Sequence, residues 1–191
     1  NVTGVLIAPD GTLAGKRLEL LRQLVPSATR IGYLSPPPDA SSAQQAAEAR
    51  RAAGELGVTL VEADVREDDY ERAFAALMAQ RPGALLVAAH TLFVRDRARI
   101  IALAARHRLP AIYEWREQVQ DGGLMAYSTS LTWAYERVAA YADRILKGAR
   151  PADMAVERPS KFELVINQRN ARALGLTLSQ PLLARADEVI P

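Results

Sequence analysis

Short apolar runs recur along this chain, the first five of them roughly 25 to 30 residues apart, and each is followed by a stretch of helical periodicity. That alternation restricts the fold more than any other feature. The runs cover residues 5–8, 30–34, 59–63, 84–88, 111–113, 124–127 and 162–166. They are continuously apolar, as strands covered on both faces must be. Between them, Ala14, Leu18, Leu21 and Val25 share one helical stripe, as do Ala73, Ala76 and Leu77 in a segment that Asp68 or Asp69 caps. Similar faces recur over residues 42–56 and 94–106, the latter through Ile100, Ile101, Leu103 and Ala104. Pro26, Gly57, Pro82 and Pro110 stand where helices should stop. The expected fold class is α/β, a doubly wound parallel sheet with right-handed crossovers.

In such a sheet ligands sit beyond the carboxyl ends of the strands. The loops there read "SPPPDASS", "AAHTLF", "YEWRE" and "YSTS". All are polar or aromatic, and none is glycine-rich. The chain contains no GxGxxG, no GxxxxGK[ST] and no GxSxG. A dinucleotide site, a P-loop and an α/β-hydrolase nucleophile therefore have no support, and no cofactor is expected.

Composition narrows the classes further. With 191 residues, 49% hydrophobic and 24% charged, the chain suits one substantial core or two small lobes. It has neither the ~18 apolar residues of a membrane helix nor a leader-like N-terminal segment, so any leader is expected to have been removed. The net charge is +2 and the pI about 9.1, but lysines and arginines interleave with acidic residues. That is a solvated surface and not a nucleic-acid stripe. The absence of cysteine excludes disulfides, thiolate metal sites and cysteine nucleophiles, and suits an oxidising compartment. Of the two histidines, His107 closes a helix as a cation near its last carbonyls, whereas His90 ends a strand. His90 either faces the cleft or is a solvated loop residue.

"NVTGV", "LAGKRLELLRQLVP", "ARHRLPAIY", "GGLMAYS", "ILKGARPADMAVERPSKFELVIN" and "LLARADEVI" together resemble the C-terminal portion of ABC-transporter substrate-binding proteins of the tryptophan/tyrosine-binding-like group. The resemblance implies a type I periplasmic-binding-protein fold, in which two α/β lobes close on a small molecule and the chain crosses between them three times. It assigns residues 9–113 and 159–191 to the second lobe, and residues 1–8 and 114–150 to crossovers and a remnant of the first. A signal peptide and most of the first lobe are then expected to lie ahead of Asn1. The helix over residues 131–147, with its stripe of Leu131, Ala134, Tyr135, Val138, Ala142, Ile145 and Leu146, would cover strands outside this sequence. Its exposure predicts self-association as a homo-oligomer.

The resemblance further implies a periplasmic or membrane-anchored lipoprotein, a small-molecule ligand, an ABC permease partner and no nucleic acid. The ligand class is an amino acid or a related aromatic or carboxylate compound. Where relatives commonly offer an acidic or amide pair, this chain has His90 and Thr91, which removes a natural partner of a ligand ammonium. Ser35 either donates to a ligand carboxylate or is a turn residue before Pro36. Tyr113, Glu114 and Trp115 lie where a strand meets the hinge. An aromatic there stacks on a flat ligand while Glu114 receives an amine, unless Tyr113 is core and Glu114 solvated. Tyr127 and Ser128 serve the hinge or the ligand. Two other classes share the sheet: a LacI-like effector domain, which needs a DNA-binding head upstream, and a flavodoxin-like enzyme, for which no convergent acid–base set is visible.

Overall fold

The structure is a computed structural model in which residues 1–7 and 13–191 are described. Seven strands form one sheet: β1 (Arg30–Ser35), β2 (Thr59–Asp64), β3 (Ala84–Val87), β4 (Ala111–Tyr113), β5 (Met125–Thr129), β6 (Phe162–Asn167) and β7 (Glu188–Ile190). Their order is β2-β1-β3-β4-β5-β6-β7. The helices are α1 (Leu13–Leu24), α2 (Ala40–Glu55), α3 (Tyr70–Ala79), α4 (Thr91–Arg95), α5 (Arg97–Arg106), α6 (Arg116–Gln120), α7 (Leu131–Leu146), α8 (Gln168–Ala173) and α9 (Gln180–Leu183).

One helical layer, α1 with α2, packs on β3, β4 and β5. A second, α3, α5 and α6, covers β2 and β4 to β6. Strand β3 lies between them, and its Ala84, Leu85, Leu86 and Val87 are wholly buried. Both layers draw on the stripes read from the sequence: Leu18 and Leu21 of α1 and Leu77 of α3 enter the core. In α3 the third core position is Phe74, while Ala76 is exposed. Asp69, not Asp68, caps α3, accepting a hydrogen bond from the Arg72 N–H at 3.0 Å.

Three expectations are corrected. Strands β1 to β5 run parallel, but β6 is antiparallel to β5, and β7 follows β6. After Thr129 the chain leaves past the carboxyl end of the sheet and returns from that side at Phe162, so the returning strand has to point the other way. Strand β5 lies inside the sheet between β4 and β6, and the excursion spans residues 130–161. The run at residues 5–8 is no buried strand within its described part. Val5 makes one parallel bridge to Glu157, Leu6 and Ile7 are exposed, and Ala8 lies outside the described residues. The segment at 94–106 is two helices starting at Thr91, parted at Asp96, whose carboxylate accepts from the Tyr70 hydroxyl at 2.7 Å. Strand β7 was not anticipated.

The excursion sets the shape of the carboxyl end. Thr129 Oγ1 donates to the Ile7 carbonyl at 2.6 Å, the Ser130 N–H donates to Lys161 O at 3.0 Å, and around the Val5 bridge the Leu6 N–H donates to Glu157 O and the Glu157 N–H to Gly4 O. Three stretches of chain thus pass beside one another there. Beyond them stands α7, with Ala134 and Tyr141 buried, Tyr141 donating to Ala155 O, and Tyr135, Val138, Ile145 and Leu146 exposed.

The turn from α6 into β5 is tightly packed. A Cβ on Gly123 would stand 2.6 Å from Gln118 O and 2.8 Å from Tyr113 Cε2. Neither neighbour can give way: one is backbone, the other a fully buried ring. Gly123→Ala is expected to lower stability by about 1–3 kcal/mol, read as a lower denaturant midpoint; an unchanged midpoint would show that the turn relaxes freely.

Candidate functional site

Strand tips are where backbone amides and polar side chains escape the two helical layers. At the β1 tip Ser35 is buried and its hydroxyl donates to Asp64 Oδ1 of β2 at 2.7 Å. Its proton is therefore committed within the protein, and Ser35 frames the site's edge beside an open depression of about 450 Å³ lined by Pro36, Ser42, Arg50 and Asp64.

The neighbouring tips of β1 and β3 are clamped together. The Gln45 side-chain amide donates to Ala89 O at 2.9 Å and accepts from the Ala89 N–H at 2.9 Å. His90 caps α4, its Nδ1 accepting from the Leu92 N–H at 3.2 Å, while Nε2 faces Asp39 Oδ2 at 3.8 Å. An imidazole with Nδ1 so occupied carries its proton on Nε2, toward the carboxylate. His90 is thus half-buried, with Nδ1 committed to the start of α4 and Nε2 facing Asp39 beyond hydrogen-bond distance. Asp39 caps α2, and the Ser42 backbone N–H holds its carboxyl below the usual range. Thr91 is exposed at the start of α4.

At the β4 tip the three candidates separate. Tyr113 is fully buried, its ring packed against Gly123, so it belongs to the core. Glu114 is only 8% exposed, which excludes a solvated carboxylate. Burial pushes its pKa up; the positive charge of Arg17 opposes that most strongly, and the Trp115 side chain adds a smaller hydrogen-bonding effect in the same direction. Trp115 is half-buried, and its backbone N–H donates to Gln118 Oε1 at 2.9 Å. It lines a narrow depression with Ser128, Thr129, Leu131 and Glu163. On β5 alternation sends Tyr127 to the opposite face, where it stacks on Phe162 at 5.9 Å, near Arg185 and Asp187. Ser128 stays on the Trp115 side.

The structure therefore brings Trp115 and Ser128 together in one depression, sets Ser35, His90, Thr91 and Glu114 along the same end, and places Tyr113 in the core and Tyr127 against Phe162. It adds residues that the sequence reading passed over. Arg17 sits between Ala14 and Leu18 on the buried stripe of α1 and is only 2% exposed. Tyr33 of β1 is wholly buried, and burial pushes its hydroxyl up to about 12. Among the described residues, Arg17 Nη1 and Tyr33 Oη lack hydrogen-bond partners. An arginine inside an apolar helical stripe was the available signal. Gln45 and Asp64 left none. Among the described residues no group of three or more His, Asp or Glu side chains is arranged to hold a metal, and no helix is long and apolar enough to cross a membrane.

Comparison with solved structures places this fold among type I periplasmic-binding-protein-like folds. A conserved domain protein from Vibrio cholerae O1 biovar El Tor superposes with a TM-score of 0.85 at 24% identity, over 99% of this chain and 63% of that one. An ABC domain from Streptococcus pneumoniae, solved in complex with L-Trp, gives 0.83 at 23%, over 98% and 64%. A LacI family transcriptional regulator from Mycobacterium smegmatis gives 0.60 at 18%, over 87% and 65%. The chain thus spans somewhat less than two thirds of these proteins. No curated protein sequence matches it. The family profile described as ABC transporter substrate binding protein matches residues 1–190, and the chain belongs to that family.

Proposed function

We propose that this chain is the greater part of the solute-capturing component of an ABC importer, closing with a first lobe on a small molecule and delivering it to a membrane permease outside the cytoplasm. The observation that carries the reading is the carboxyl end of the sheet. Three chain passages, at residues 5–7, 129–130 and 157–161, run side by side there, as a three-stranded hinge requires. Beside them stand Glu114, Trp115 and Ser128, with Thr91 exposed nearby. A solute that contacts both lobes binds the closed form better than the open one and shifts the population toward it.

The ligand class we propose is an amino acid or a related aromatic or carboxylate compound. The L-Trp carried by the Streptococcus pneumoniae protein supports that choice, as does a half-buried tryptophan beside a buried carboxylate. A LacI-type effector domain is the second reading; its structural likeness is weaker. Native mass spectrometry of the full-length protein from its host tests the choice. A bound amino acid or kindred small molecule is expected, and a DNA-binding head on a protein carrying none would favour the regulator.

Burial makes Glu114 a liability in the free protein, because it disfavours the ionised form. Its folded pKa is raised, so the folded state holds the proton more tightly. Stability is then lost as pH rises from the ordinary carboxylate range, about 4.3, through the folded value. Glu114→Gln should therefore stabilise the free protein at neutral pH, with a gain that shrinks on acidification, while weakening solute binding about tenfold or more. Thermal denaturation from pH 4 to pH 8 with calorimetric binding checks both; a variant no more stable and no weaker in binding removes Glu114 from the site.

The exposed stripe of α7 makes a further expectation. Burying Val138, Ile145 or Leu146 is worth about 1.5–3 kcal/mol each, so the 191-residue chain, without a first lobe over that helix, should self-associate. Light scattering is expected to show concentration-dependent dimers or larger species, dispersed by Val138→Glu with Leu146→Glu. A monodisperse wild-type monomer would contradict it.

A further inference from the structure

The buried arginine of α1 has no role in the core that its chemistry explains. A link of residues 25–29 joins the end of α1 to the start of β1, so α1 runs antiparallel to the strands and its first turn lies at their carboxyl end. Side chains on a helix lean toward its N-terminus. Arg17 does so, its Nε donating to Leu13 O at 3.3 Å. The guanidinium is thereby carried to the level of the strand tips, where it feels the charge of Glu114 and the hydroxyl of Tyr33. Among the described residues no ion-pair contact joins Arg17 to Glu114, and Arg17 Nη1 is left without a partner.

A guanidinium and a carboxylate buried near each other but not in contact form a costly arrangement. Each loses hydration, and neither recovers it through a bidentate pair. Such unresolved charge is what a binding site keeps for its ligand. The other charged groups around Glu114 are accounted for. On α1, Lys16 pairs with Glu19; on α6, Arg116 is bound to Glu188, and Glu117 is acidic. His90, from the loop after β3, is turned to Leu92 and Asp39, and β5 brings no charged side chain. Tyr33 of β1 is a neutral phenol. Arg17 is the charged group among the described residues that acts on Glu114.

We propose that Arg17 is the positioning residue of the cleft: buried beside Glu114 without an ion-pair contact, it attracts that carboxylate without itself engaging the oxygens, so that a cationic group of the captured solute can. This rests on the reading of the strand tips as the solute site. It assigns the solute an amine, received by Glu114 in place of the acidic pair that His90 and Thr91 do not supply. Arg17 does not touch the solute and acts only through the carboxylate.

The test has two arms, both on the full-length protein. In the first, the Glu114 side-chain carboxyl is titrated by carbon-13 NMR in wild type, Arg17→Lys, Arg17→Met and Arg17→Gln. Either charge-free variant that folds suffices. Its Glu114 midpoint is expected to move to higher pH while Arg17→Lys stays near wild type; equal midpoints throughout would overturn the proposal, whatever the protein binds. In the second, calorimetry compares tryptamine, L-tryptophan and indole-3-propionate. Binding is expected for the two amines, about tenfold or more tighter than for the acid, and in the charge-free variants it should fade at a higher pH than in wild type. Binding of the acid alone would overturn the amine and leave solute capture standing. A pH-independent loss in the charge-free variants would reduce Arg17 to a structural role.

Discussion

A sheet covered by helices on both faces has nowhere to meet a small molecule except at the ends of its strands. That constraint governs this structure. The interior is apolar from Leu18 in α1 through Leu85 in β3 to Leu164 in β6, and the buried polar side chains gather largely at the carboxyl end: Ser35, Gln45, Glu114, Ser128, Thr129 and Ser130. Two of them tie neighbouring loops, Ser35 to β2 and Gln45 to the loop after β3. The tips of β1, β2 and β3 thus form a rigid frame, and the chemistry open to a solute is concentrated at the tips of β4 and β5.

The same end carries the connection to the rest of the protein. The chain leaves the sheet after Thr129, forms α7 and returns at Phe162 beside residues 5–7. A helix with Tyr135, Val138 and Leu146 exposed stands on the far side of that crossing, and hydrophobic side chains in that number call for a covering surface. Rigid tips, three adjacent passages and an uncovered helix are what the proposed closing device requires of one of its halves.

Most of the architecture was legible because it rests on periodicity. Continuous apolar runs such as "ALLV" have no alternative to burial on both faces, and prolines end the helices where the pattern does. Direction was not legible: nothing in "KFELVIN" tells whether it runs with or against "LMAYS", because antiparallel pairing here follows from where the excursion re-enters. Strand β7 is three residues long, too short for a pattern. At the strand tips, residue type singled out Glu114 and Trp115 as candidates, while the fate of the hydroxyl, imidazole and phenol groups depended on partners far along the chain. Ser35 meets Asp64, His90 meets Asp39, and Tyr113 is closed over by Gly123. Arg17 was readable in principle, as a charge inside an apolar stripe, but its meaning needed β4 beside it.

Hydrogen–deuterium exchange of the full-length protein, with and without L-tryptophan, tests the central claim most directly. Slowed exchange is expected at residues 35–37, 88–92, 114–118 and 128–131, the strand tips and the crossing, with little change at the opposite end around Arg108 and Arg169. Protection confined to that opposite end, or none at the tips of β4 and β5, would contradict the account.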